Sequence, residues 1–162
     1  MGFFSRLFGL ADLEAKAQPS KQPADGASTH MGALDPATAA AVLSEIDIDT
    51  AIAAHENWKL RLHNYLNDTS KEDLQPDVVC RDDRCDLGQW LHGPGGQRLG
   101  HYPAFSLLVA RHKFFHVQAS TVVALAQAGE KDKAEKAMST TYRHASTQVV
   151  LLLKELKRGL GR

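Results

Sequence analysis

Arg111-His112-Lys113-Phe114-Phe115-His116 is the stretch whose reading decides the fold. Two histidines four residues apart on a helix project from one face, with Cβ atoms about 6 Å apart, so two imidazoles there can grip one ion. The surrounding run supports the helix: from Pro103 to Ala128, Phe105, Leu108, His112, Phe115, His116, Ala119 and Val123 recur at helical spacing, which turns both rings toward the core. An earlier run, Ile48, Ala51, Ile52, His55, Trp58, Leu62, Tyr65 and Leu66, has the same periodicity and brings a third imidazole inward. Between the two lies Cys85. Zinc takes nitrogen and sulfur donors in a tetrahedron, so Cys85 would complete a closed set with His55, His112 and His116. The spacing alone leaves a second reading open, because inward histidines are commonly hydrogen-bonded core residues and pairs four apart arise by chance.

A resemblance bears on that choice. His55-Glu56-Asn57-Trp58-Lys59 resembles the His-x-x-Trp-Lys/Arg opening of the chemoreceptor zinc-binding (CZB) domain family. Cys85-Asp86-Leu87-Gly88-Gln89-Trp90-Leu91 resembles its Cys-x-Leu/Phe-Gly-x-Trp signature, and His112 with His116 its closing pair. The separations of 30, 27 and 4 residues also look like the family's, and the resemblance spans Ile46 to Leu156. It implies a cytoplasmic helical bundle that binds Zn2+ through His55, Cys85, His112 and His116. It also implies a homodimer and a chemoreceptor or diguanylate cyclase partner in bacterial chemotaxis or cyclic-di-GMP signalling.

Composition sets the outer limits. The chain has 162 residues, 43% hydrophobic, enough for one domain with a core plus a tail. Lys plus Arg equals Asp plus Glu at 19 each, so no overall field recruits nucleic acid or an acidic membrane surface. Cys80 and Cys85 alone fit a reduced, cytoplasmic compartment better than a secreted disulfide framework. No stretch approaches the ~20 apolar residues of a membrane span. Met1 to Leu10 lacks the apolar region of a secretory signal, and Arg6 stands where myristoylation needs Ser or Thr. Phe3, Phe4, Leu7 and Phe8 are either an amphipathic turn that docks on a partner or a membrane surface, or a frayed end. Ala15 to Pro36 reads as a tether. The expected organisation is an apolar segment and flexible linker over 1–35 and a zinc-binding helical domain over 36–162.

The expected fold is all-α: a four-helix-bundle-like domain, with an extra short helix carrying Cys85 and a flexible N-terminal tail. Asp35-Pro36 predicts a first helix start and Asp47 a second cap, giving one helix or two up to Asn67. Asn67 to Ser70 reads as the end of that segment and the cap of another short helix, with Pro76 as a further break. Asp77 to His92 reads as one brief helix entered near Asp82-Asp83, bearing Cys85, Gly88 and Trp90; Gly93 to Gly100 reads as a loop. Gly88 marks a close approach, and Trp90 and Trp58 are expected to cover the site from two sides. A last helix is expected over Lys131 to Lys157, with Ala134, Ala137, Met138, Thr141, Ala145, Gln148 and Leu152 on its inner face. His63 is expected at the surface; His30, His92, His101 and His144 are solvated, or for the last three, at the outer edge of the site.

A closed tetrahedron keeps no position for a substrate water, so the expected role is regulatory and not enzymatic. Coordination holds Cys85 as the thiolate, the oxidisable form, which makes oxidants a second candidate signal beside zinc itself. Cys80 either pairs with Cys85 once zinc leaves or is an inert buried thiol. The competing readings are a structural zinc adaptor and a hemerythrin-like bundle. The latter needs carboxylates interleaved with its histidines, a pattern the inward faces here do not show.

Overall fold

A computed structural model describes residues 30–161; the apolar Phe3–Phe8 segment and the tether up to Thr29 lie outside them. Helix α1 (Pro36–Glu45) starts where Asp35 Oδ1 accepts the Ala37 and Thr38 amides at 3.1 and 3.0 Å and Pro36 takes the first position. Ile46 is extended, Asp47 accepts the Thr50 amide at 3.1 Å, and α2 (Ile48–Leu66) follows. The segment is therefore two helices. Helix α6 (Pro103–Gln127) is the longest. It turns through Gly129, whose φ of 74° suits a residue without Cβ, into α7 (Lys131–Ala137), a π-helical turn (Met138–Tyr142) and α8 (Arg143–Gly159).

Helices α2, α6 and the α7–α8 rod pack on one another around Leu62, Leu108, Phe115, Val122, Tyr142 and Leu153, all fully buried. Three short helices, α3 (Pro76–Val79), α4 (Asp86–His92) and α5 (Pro94–Leu99), complete the structure. Helices α3 and α4 lie against α6, and α5 joins α4 to α1. The architecture is all-α and bundle-like, with no strand among the described residues. No helix among them is long and apolar enough to cross a membrane. Within the stretch read as tether, Met31 and Leu34 are buried, and the Leu34 amide donates to Gly159 O at 3.0 Å.

Four local readings change. Ser70 caps no helix: the Thr69 and Ser70 amides donate back to Asn64 O, Asp68 takes φ 56°, and helix resumes only at Pro76. Pro76 therefore opens α3 instead of breaking a helix, as its fixed φ allows. Asp77 to His92 is two helices separated by residues 80–85, and the second is entered through Cys85, not through Asp82-Asp83. The stretch after Gly93 is helical because Pro94 starts a turn and Gly95 lets the backbone lie on the Trp90 ring, where a Cβ would come within 2.7 Å.

The last helix keeps Ala134, Ala145 and Leu152 inside as expected, with Ala137 and Met138 half-buried, but Tyr142 is buried where Thr141 was expected, and Gln148 is only half-buried beside buried Val149. The π turn widens the helix at Thr141 and Tyr142, so the expected face fails there and is met again at Ala145. Thr140 and Thr141 return their hydroxyls to Lys136 O and Ala137 O at 2.6 and 3.4 Å, competing with the backbone ladder where it widens.

Candidate metal centre

Three elements supply the inward polar side chains. His55 comes from α2, His112 and His116 from α6, and all three rings are at most 4% exposed. Cys85 is the N-cap of α4 and half-buried; its Sγ accepts the Gly88 amide at 3.3 Å. One ligand atom from each of the four lies within 4.8 Å of all the others.

Second partners fix which ring nitrogens face inward. His55 Nδ1–H donates to Ala51 O at 2.7 Å and His116 Nδ1–H to Val79 O at 2.8 Å, which leaves each Nε2 with a lone pair. His55 Nε2 is buried with no hydrogen-bond partner among the described residues. His112 Nε2 lies 3.2 Å from His116 Nε2 and 3.3 Å from Cys85 Sγ, and His116 Nε2 lies 3.7 Å from the same sulfur. A tetrahedral ion at ordinary Zn–N and Zn–S bond lengths separates its donors by about 3.3 Å (N to N) and 3.6 Å (N to S). The Cys85, His112 and His116 donors are already close to that spacing, and the His55 donor lies within 4.8 Å of each of them. Convergent lone pairs repel, and an unsatisfied buried nitrogen costs about 1–3 kcal/mol, so a cation is the species that fits.

Electrostatics keep the donors in their coordinating form. Burial, reinforced by the neighbouring His116 and His55, pushes the His112 pKa down to about 2. Burial also depresses His55 and His116, partly offset by their hydrogen bonds to Ala51 and Val79. Burial raises the Cys85 thiol, against the pull of the Gly88 and Leu87 amides, so thiolate forms there chiefly when a cation is beside it.

These shifts carry a sign that can be measured. With folded values below the ordinary 6.5, the unfolded chain binds more protons, so stability present above pH 6.5 is lost as pH falls. Chelated protein should lose up to about 1.4 kcal/mol per pH unit for each histidine held neutral. Urea midpoints at pH 7.5 and 5.5 check this. Stability that rises on acidification would show that the rings take up protons inside the fold.

The remaining histidines stay outside the cluster. His63 is exposed and contacts Asn67, His92 bonds Asp82 Oδ2 at 2.8 Å, His101 stacks on Tyr102, His144 is exposed, and exposed His30 lies 3.7 Å from Glu155. Trp90 is buried, but its indole donates to Glu45 at 3.0 Å and its ring meets Phe105, so it pins α4 to α1 and α6. Trp58 is half-buried under the Arg61 guanidinium and lines a cleft that reaches Cys85 and His116. Cys80 is half-buried, not buried, and its thiol donates to Asp77 O at 3.2 Å.

Sequence reasoning missed Phe115 as part of the site. Its ring lies 5.1 Å from His55, 5.4 Å from His116 and 5.5 Å from Tyr142, an apolar wall between the imidazoles and α8. Its place between the two histidines in the sequence was the available signal. The Ala51 and Val79 carbonyls had none, since every residue carries one.

The four clustered residues follow one another along the chain in the order His55, Cys85, His112, His116. Residues 55–123 match the family model of the chemoreceptor zinc-binding domain. Comparison with curated proteins and with solved structures finds no match. The CZB match opens at His55, contains all four donors and runs through most of α6, while α1 and the α7–α8 rod lie beyond it. The family's description is that of a zinc-binding domain.

Proposed function

We propose that this chain is a zinc-binding regulatory module in which His55, Cys85, His112 and His116 hold one Zn2+. The observation that carries the reading is the convergence of four donor atoms, from three separate elements, within 4.8 Å. When bound, the ion supplies the positive charge that keeps Cys85 as thiolate and ties α4 to α2 and α6. His55 and His116 are aimed by Ala51 O and Val79 O, and Phe115 shields the rings from the α8 side. With all four positions filled by protein, the module acts through contacts with partners instead of turnover. A homodimer, a chemoreceptor or diguanylate cyclase partner, and a cytoplasmic setting complete the proposal. The cluster contains no carboxylate, which disfavours a two-iron, hemerythrin-like site.

The signal is zinc activity, with oxidation of Cys85 as a second input. A cleft of about 690 Å³, lined by Trp58, Arg61, Arg81 and Arg84, reaches the half-buried sulfur and gives a small oxidant access. Hypochlorous acid converts a thiolate to sulfenic acid with release of chloride, and a sulfenic acid is a poor zinc ligand. Titrating the zinc-loaded chain with hypochlorite, while following zinc release and the oxidation state of each cysteine, should show Cys85 modified in step with release. Cys85 staying reduced and zinc staying bound while Cys80 is modified would defeat the oxidant input. Partner binding that is unchanged across physiological zinc activities would reduce the site to a structural staple.

A further inference from the structure

A groove of about 790 Å³ runs between α2 and the α7–α8 rod, on the far side of Phe115 from the histidines. Leu60, Leu66 and Met138 line it, and Leu60 is 56% exposed, a large apolar side chain left to solvent among the described residues. The π turn forms part of its wall and Tyr142 lies at its floor. Tyr142 is 1% exposed, and its hydroxyl, although Ser146 is a polar neighbour, has no hydrogen bond of acceptable geometry.

We propose that the groove is the docking site of this chain's own Phe3–Phe8 segment. Phe3, Phe4, Leu7 and Phe8 fall at the one-and-four spacing of a single helical stripe, the pattern of an amphipathic helix laid in an apolar groove. The tether can span the distance. His30 lies 3.7 Å from Glu155, and from Glu155 to Thr147, at the groove's edge, is about 12 Å along α8. Residues 11–29, rich in Ala with Pro, Ser and Gln, span roughly 22–26 Å root-mean-square when treated as a flexible chain. A tether of that length gives an effective concentration of order millimolar, which favours the chain's own segment over a second copy at micromolar protein.

Photo-cross-linking tests this directly. The full chain with p-benzoylphenylalanine in place of Phe4, zinc-loaded and at low micromolar concentration, is irradiated and its peptides are mapped. The expected product has monomer mass and joins residue 4 to the peptides containing Leu60 or Met138. Leu60→Asp, at an exposed position, should remove most of that product while helicity and zinc content stay unchanged. Products of dimer mass at the groove would assign it to a second copy, and adducts formed only with phosphatidylglycerol vesicles would assign the segment to a membrane surface. Either result overturns the proposal, as does a monomeric product outside the groove or one that survives Leu60→Asp.

Discussion

Cys85→Ser and His112→Ala each lower zinc affinity by more than about 100-fold, measured by competition with a chromophoric chelator. Loss of an outer hydrogen bond to a metal ligand already costs about 10–100-fold, so loss of a donor itself sits beyond that range. Serine keeps the shape of the α4 cap but offers a neutral hydroxyl where the site presents a sulfur 3.3 and 3.7 Å from two ring nitrogens. Alanine at 112 removes the nitrogen that lies nearest both Cys85 Sγ and His116 Nε2. The same assay should leave His63→Ala and His101→Ala at wild-type affinity, because both rings are exposed and engaged elsewhere. A uniform loss across all four variants would mean that a different set of imidazoles holds the ion.

The parts of the structure that the sequence announces are those governed by local chemistry. Asp35-Pro36 and Asp47 cap helices through their own amide neighbours, and the period of α2 and α6 turns His55, His112 and His116 inward whatever the rest of the chain does. The parts that stayed hidden depend on partners distant in sequence. Gly95 permits helix α5 only because the Trp90 ring lies against it, and a glycine pair after Gly93-Pro94 otherwise reads as loop. At the π turn Tyr142, not Thr141, faces inward against Phe115; hydrophobic periodicity assumes a constant pitch and cannot register a local widening. Cys85 looked like a helix residue because Cys-Asp-Leu-Gly has no standard cap, yet its sulfur accepts the Gly88 amide as a serine oxygen would.

Gly88→Ala should be the most damaging single-methyl change near the centre. On propensity alone, alanine inside α4 stabilises the helix by about 1 kcal/mol relative to glycine. Sterics reverse the sign. The residue 80–85 connection folds back so that the Asp82 carbonyl rests on Gly88, and a Cβ there would stand 1.6 Å from Asp82 O and 2.8 Å from Asp82 C. Both are backbone atoms, so no rotamer relieves the contact; the connection must move by more than an ångström. It is held at one end by Cys85 and at the other by Asp82 Oδ2, which His92 Nε2 meets at 2.8 Å, so the displacement is passed to the sulfur. Overpacking of this kind costs roughly 3 kcal/mol, which corresponds to a Tm lowered by roughly 10 °C in a domain of this size. Zinc should also leave the variant faster on chelator challenge, since the sulfur no longer starts 3.3 and 3.7 Å from the His112 and His116 nitrogens. Gln89→Ala, the exposed next-door position, should stay within about 0.5 kcal/mol of wild type. Wild-type Tm and zinc off-rate in Gly88→Ala would place the Asp82 carbonyl elsewhere and remove the packing that holds Cys85 in register with the three rings.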